Sequence, residues 1–252
     1  MITAYHRPHT LEEALSLLSR AEPVTLALGG GTSLASHRGE DVEVVDLQDL
    51  PLSQISGHGK NLEVGATVSL QQIRESAECP KALASALRIE APLNLRYAAS
   101  VAGTLMECDG RSGFAAVLLA LDSKIALILP QAEALGLGEF LALRDRYRRG
   151  CLITKVELPR AVPVEFDYVS RTPADKPIVA VALAKWPSGR TRLVVAGSGS
   201  SPQLAMDGVE ADDLQAAARN ALHDASDPWA SAEYRMDAAA TLVRRCLSRI
   251  DA

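Results

Sequence analysis

The chain lacks the features that usually announce a nucleic acid, a metal or a membrane. Its 252 residues carry 26 Lys and Arg against 31 Asp and Glu, a net charge of −5, and no basic run reaches five residues. A polyanion-binding surface needs an excess of positive charge, so nucleic acid is not an expected partner. The four cysteines, Cys79, Cys108, Cys151 and Cys246, are far apart and form no C-x-x-C pair. That spacing argues against zinc, against an iron–sulfur cluster held by this chain alone, and against a disulfide framework. The five histidines do not cluster either; the nearest pair, His6 and His9 in "HRPH", has no adjacent Cys or carboxylate and reads as surface. No apolar stretch follows a basic start in "MITAYHRPHTLEEAL", so no secretory signal is expected. The longest apolar segment, Phe114 to Pro130, is broken by Asp122 and Lys124, and each half is too short to span a bilayer. The expectation is a soluble, cytoplasmic protein with no membrane insertion.

What is present is apolar material in quantity. At 48% hydrophobic residues, the chain can bury a core as one large domain or as two to three smaller ones. "HTLEEALSLLSR" has helical spacing, with Thr10 as N-cap and Glu13 completing a capping box. "PVTLALGGG" reads as a strand ending in glycine, followed by a helix or loop, and "VEVVDLQDL" as a second strand in which Asp46 opens a turn. In "NLEVGATVSLQQIRES" a strand leads to Ser69, which can cap a short helix with Leu70 and Ile73 inward. "CPKALASALRIEA" is an amphipathic helix, and "FAAVLLALDSKIALIL" is a helix that becomes a strand at Asp122 to Lys124. "CLITKVELP" is a strand stopped by Pro159. "IVAVALAKW", "PSGR" and "TRLVVAG" form a hairpin signal. The C-terminal helix places Tyr234, Ala238, Leu242, Val243 and Leu247 on one stripe. The fold class is α+β, in three pieces at about 1–55, 56–160 and 161–252.

Three strand ends carry glycine clusters: Gly29 to Ser33, Ala102 to Thr104, and Gly197 to Ser201. Bare backbone permits either a tight turn or close approach of a ligand, and several N–H groups aimed at one point suit a diphosphate. Both readings stay open for each loop. No P-loop lysine follows the first cluster, and "VVAGSGSSP" puts Pro202 where a dinucleotide fingerprint needs glycine, so that loop reads as structural. The densest basic stretch, "LRDRYRRG" from Leu143 to Gly150, reads as a solvated loop. No catalytic acid, base or nucleophile stands out, because neither Cys108 nor Cys151 is accompanied by a histidine.

Several segments, in order, resemble the flavin-binding subunits of molybdenum hydroxylases, the group of xanthine, aldehyde and carbon monoxide dehydrogenases. "LALGGGTSL" resembles that family's A-G-G-T-(D/S)-L loop, and "LRYAASVAGTLMECDGRSGFAAVLLALD" its I-R-N-(V)-A-S-(V/I)-G-G-N segment with the helix behind it. "GATVSLQQI", "CLITKVELP" and "SAEYRMDAAATLVRRCL" are similar to three further family segments, so that the resemblance covers nearly the whole chain. It implies two N-terminal α/β subdomains that grip an extended FAD, followed by a C-terminal α+β domain. It also implies that the loop Leu28, Gly29, Gly30, Gly31, Thr32, Ser33 and Leu34 wraps the pyrophosphate, that Ser100, Val101, Ala102, Gly103 and Thr104 touch it from the second subdomain, and that Leu152 packs near the isoalloxazine. Three positions differ from the family pattern. Ala102-Gly103-Thr104 stands for G-G-N, the position of the family's cofactor-anchoring aspartate falls on Gly113 with Asp109 as the nearest acid to bind the cofactor in its place, and Asp167 and Tyr168 lie where a lysine is common. The implied partners are a molybdenum-binding large subunit and a small subunit with [2Fe–2S] clusters. The implied role passes electrons through FAD to NAD, a quinone or oxygen. A non-catalytic subunit with an eroded flavin site and a stand-alone FAD oxidoreductase are the alternatives.

Overall fold

The computed structural model describes residues 1–34, 41–129, 131–209 and 213–251. The segment after Leu34, expected as helix or loop, lies outside the described residues up to Asp41. Contacts divide the chain into two compact units, one of residues 1–76, 93–107 and 124–158, the other of residues 77–92, 108–123 and 159–252. The α+β class is confirmed.

The first unit opens with a strand that the sequence does not announce, β1 (Ile2–His6). It is short and mostly exposed, so it carries little apolar alternation. It pairs in parallel with β3 (Val42–Asp46), which pairs on its other side, also in parallel, with β2 (Thr25–Leu28). The central position of β3 explains why Val42, Val44 and Val45 are all buried. Between β1 and β2 lies α1 (Leu11–Leu18). Thr10 caps it as expected, its hydroxyl accepting from the Glu13 N–H at 3.1 Å. The reciprocal bond of the capping box falls one residue early: the Glu13 carboxylate accepts from the His9 N–H at 3.1 Å. Asp46 opens its turn by accepting from the Gln48 N–H at 3.0 Å. His6 is not without a carboxylate: strand pairing brings Glu43 to 2.7 Å from its ring.

A five-stranded sheet completes this unit, in the order β4 (Ile55–His58), β5 (Asn61–Gly65), β8 (Leu152–Pro159), β6 (Lys124–Leu129), β7 (Gln131–Gly136). The helix α2 (Leu70–Glu75) has the full capping box: the Ser69 hydroxyl accepts from the Gln72 N–H at 3.1 Å and the Gln72 side chain accepts from the Ser69 N–H at 2.8 Å. Two short helices, α4 (Leu93–Ala98) and α5 (Val101–Glu107), meet at a bend that is tied to the segment before α2. Leu70 donates to the Ala99 carbonyl at 3.0 Å, Val101 to Val68 at 2.9 Å, and Ala102 to Ala66 at 3.1 Å. After β7 comes α7 (Leu137–Leu143), then a 3₁₀ turn over Arg144–Tyr147.

The second unit is built on an antiparallel sheet in the order β12 (Gln203–Gly208), β11 (Thr191–Ala196), β10 (Val179–Lys185), β9 (Val164–Val169). The expected hairpin is β10–β11, closed by Gly189 with φ +86°. Val179, Val181, Leu183, Leu193 and Val195 pack with α8 (Leu214–Ala221) and α9 (Ala232–Ile250). By strand alternation Ala180, Ala182 and Ala184 face the other way, and their small side chains leave room for α6 (Gly113–Ala120), every residue of which is buried. The helix α3 (Lys81–Glu90) packs against α6. Glu90 at its end accepts from the Ser112 hydroxyl at 2.9 Å and from the Phe114 N–H at 3.1 Å.

The buried face of α9 differs from the expected stripe. Leu242 and Val243 are buried as expected, and Ala238 and Leu247 sit at the edge of the core, but Tyr234 is 47% exposed and Arg235 takes the inward position. Arg235 is fully buried because the loop before α9 supplies its partners. Its guanidinium meets Asp227 at 2.8 Å and donates to the carbonyls of Ala225, Ala230 and Ile178. The expected structural role of the glycines after β11 is also visible: Gly197 donates to the Gly110 carbonyl at 2.7 Å and Gly110 to the Gly199 carbonyl at 2.9 Å. A Cβ at Gly110 would stand 1.7 Å from the Ser198 oxygen.

Candidate functional site: a cavity in the first unit

Where β2 ends at Leu28, the glycine loop turns across the first unit and borders a cavity of about 590 Å³. Its apolar lining includes Leu26, Val42, Leu47, Ala66, Met106 and Ile153. Its polar lining is drawn from Ser33, Thr67, Ser100, Glu107, Tyr147, Arg148 and Arg149. A volume of this size, mostly apolar with a few convergent polar groups, is characteristic of small-molecule and cofactor sites. The donor set fits a flavin dinucleotide. Apolar walls suit a ring system, while hydroxyls and guanidinium groups suit an anionic diphosphate.

Of the residues singled out in the sequence, Gly29, Ser33, Leu34, Ser100, Ala102 and Gly103 line this cavity. Leu28, Gly30, Gly31, Thr32, Val101, Thr104 and Leu152 do not. Val101 and Leu152 are both 1% exposed and belong to the core. Strand alternation accounts for Leu152, since its neighbours Cys151 and Ile153 are the ones turned to the cavity. Asp109 belongs to the second unit, where it accepts from the Arg111 N–H at 3.0 Å and from Lys176 Nζ at 3.0 Å. Gly113 has no room for a larger side chain: a Cβ there would stand 2.9 Å from the Phe166 ring. Tyr168 meets Arg88 through its hydroxyl at 3.2 Å, and Asp167 faces Arg249 at 3.3 Å.

The bareness of the glycine loop has a cause inside the protein. A Cβ at Gly30 would lie 1.5 Å from the Ala98 carbonyl oxygen, and one at Gly29 would lie 2.6 Å from the Ser100 hydroxyl. Gly31 adopts φ +70°, a region that side chains disfavour. The loop is bare first because it lies against the bend between α4 and α5. The implied pyrophosphate contact is therefore not needed to explain Gly30, and a bulky residue there would disturb the fold itself.

The basic stretch also needs correction. Read as a solvated loop, it remains exposed, yet it forms one wall of the cavity. Tyr147 stacks on Phe140 with ring centroids 5.7 Å apart. Arg148 bridges Glu107 at 2.7 Å and Asp145 at 2.9 Å. Charge composition alone could not find this wall, because Tyr147, Arg148 and Arg149 reach the cavity only through the path of the chain from α7 into β8. Cys151 sits on the same wall, and burial, reinforced by Glu133, pushes its thiol up to about 12. At neutral pH it is a neutral lining group rather than a thiolate nucleophile.

The fold is shared with chains of known oxidoreductases. Reconstituted CO dehydrogenase from Oligotropha carboxidovorans superposes with a TM-score of 0.81 at 22% identity, covering 98% of this chain and 96% of that one. Quinoline 2-oxidoreductase from Pseudomonas putida 86 superposes with a TM-score of 0.78 at 20% identity, with the same coverage. In sequence, the carbon monoxide dehydrogenase medium chain of Afipia carboxidovorans is 25% identical, covering 98% of this chain and 96% of its own length. The protein YgfM of Escherichia coli K12 is 27% identical, with 93% of this chain and 91% of that protein covered.

Residues 1–161 match the family described as the FAD binding domain in molybdopterin dehydrogenase. The chain belongs to that family, and the cofactor of the family is FAD. The matched residues contain every described residue of the cavity lining.

Proposed function

We propose that this chain is the flavin-carrying medium subunit of a molybdenum hydroxylase complex, and that the 590 Å³ cavity holds its FAD. The observation that carries the reading is the coincidence of the family match over residues 1–161 with a cavity whose described lining residues all fall within that match. Bound FAD would supply the redox chemistry, holding up to two electrons between donor and acceptor. The protein's own residues then have three tasks. Leu26, Val42, Met106 and Ile153 keep water from the ring system, Ser33 and Ser100 offer hydroxyls, and the basic wall meets negative charge.

In this reading the electrons come from [2Fe–2S] clusters of a small partner subunit, which are fed by a molybdenum-binding large subunit. They leave to NAD, a quinone or oxygen. The medium-chain relative from a carbon monoxide dehydrogenase supports such an assembly. Among the described residues no group of three or more His, Cys, Asp or Glu is placed to hold a metal ion, which suits metal centres held by other chains. The three-piece division at 1–55, 56–160 and 161–252 is retained as a proposal for two cofactor-gripping subdomains and a C-terminal domain. It is supported by the separate three-, five- and four-stranded sheets. A cytoplasmic location is proposed with it, supported by four free cysteines and by the absence, among the described residues, of a helix long and apolar enough to cross a membrane.

The test is an absorption spectrum of the purified chain before and after FAD is added and the excess removed. Retained flavin bands that bleach with dithionite are expected. A folded chain that stays colourless after saturation, alone and in its assembled complex, would refute the proposal.

A further inference from the structure

Among the described residues the cavity's charge is unevenly compensated: the ionised lining groups there are Glu107, Arg148 and Arg149. Glu107 and Arg148 cancel each other across 2.7 Å, and Arg148 is shared with Asp145. Among the described residues Arg149 has neither a carboxylate nor a hydrogen-bond partner. An arginine that lines a cavity without a partner of its own chain is placed to receive an anion from outside it.

The backbone on both sides of Arg149 is held. On one side Arg148 is tied to Glu107 at the end of α5. On the other, Gly150 turns the chain at φ +67° and donates its N–H to the Leu18 carbonyl at 3.1 Å. Two residues earlier, Tyr147 is fixed by its stack on Phe140. Little backbone freedom remains to be lost when the guanidinium finds a partner, which favours binding. Ser33 and Ser100, lining the same cavity, add hydroxyl donors.

The geometry points to Arg149 as the residue that pairs with the phosphate groups of the dinucleotide in this cavity, an inference that rests on the flavin reading above. A guanidinium offers two parallel N–H groups to a phosphate, a match that riboflavin, which has no phosphate, cannot use. Arg149 therefore selects the dinucleotide for its diphosphate rather than for its ring.

The test uses the full chain and three probes: FAD, ADP, which keeps the diphosphate without the flavin, and riboflavin, which keeps the flavin without any phosphate. Arg149→Gln should weaken FAD and ADP by about tenfold and leave riboflavin unchanged. Arg149→Lys should recover part of the loss, and Arg146→Gln, on the same stretch but not in the cavity lining, should bind as wild type. Raising salt should weaken FAD binding less in Arg149→Gln than in wild type. Equal losses for FAD and riboflavin would make Arg149 a packing residue and overturn the inference, as would unchanged affinity for FAD and ADP. A wild-type chain that takes ADP but no FAD, alone and in its assembled complex, would overturn the flavin reading, while the ADP comparison still decides Arg149; one that takes neither in either state would overturn both.

Discussion

Gly30→Ala separates the two explanations of the glycine loop. The added Cβ would stand 1.5 Å from the Ala98 carbonyl oxygen and 2.4 Å from its carbon. Reaching an ordinary C···O separation of about 3.3–3.6 Å requires a retreat of roughly 2 Å. The bend cannot yield freely, because Leu70 donates to Ala99 at 3.0 Å, Ala99 to Leu95 at 2.7 Å and Val101 to Val68 at 2.9 Å. Overpacking of this kind costs about 1–3 kcal/mol, and one disrupted backbone bond adds about 1 kcal/mol, so a loss near ~3 kcal/mol is expected. For a unit of this size that corresponds to a fall in melting temperature of roughly 10 °C.

The neighbouring positions set the scale. Gly29→Ala has only to turn aside the Ser100 hydroxyl, at the expense of its bond from the Gly103 N–H, and should cost about 1 kcal/mol. Gly31→Ala, at φ +70°, should cost about 1 kcal/mol through its backbone conformation. Circular dichroism melts of the three variants without ligand, followed by FAD titration, give the comparison. A Gly30→Ala chain that melts with wild type would refute the packing argument. If that same chain had lost FAD, ligand contact would be the reason for the glycine after all.

Two other features of the second unit are testable. Truncating Arg235 to Met removes the partner of Asp227 and takes a donor from the carbonyls of Ala225, Ile178 and Ala230, the last of which keeps the Asp227 N–H; because Asp227 keeps some solvent, a loss of about 2–3 kcal/mol in urea unfolding is expected. A loss below about 1 kcal/mol would show that Arg235 is not what holds the loop before α9. Burial pushes the Glu90 carboxyl above its ordinary value, against the lowering effect of the Phe114 N–H and Lys176. A raised folded value means that the contribution of Glu90 to stability is full below its unfolded value of about 4.3 and is lost as pH rises through the folded one. Wild type should therefore fall behind Glu90→Gln as pH is raised from about 4 towards neutrality, read as urea midpoints across pH; parallel profiles would refute the argument.

Much of the local structure was legible in the residues. Ser69 with Gln72, and Thr10 with Glu13, mark helix starts because side chain and backbone three positions apart satisfy each other without help from the rest of the chain. The β10–β11 hairpin was equally clear, since two β-rich runs around a Pro-Ser-Gly turn define their own pairing. β1 was not legible, because an exposed edge strand becomes a strand only when β3 pairs with it. The inward turn of Arg235 was also hidden. Helical spacing favours apolar residues on the core face, and the carbonyls that compensate a buried guanidinium lie on other segments.

By itself the sequence determined the fold class, the caps, the hairpin and the family, because each rests on residues close together or on motifs whose order survives in the chain. Tertiary structure alone decided which of the motif residues border the cavity. It turned Leu152 into the core and Cys151 and Ile153 towards the cavity, and it put the Ala98 carbonyl against Gly30. It also brought a basic stretch, remote in sequence from the glycine loop, to the same cavity. Those outcomes depend on the path of the backbone between distant segments, and no single stretch of residues encodes it.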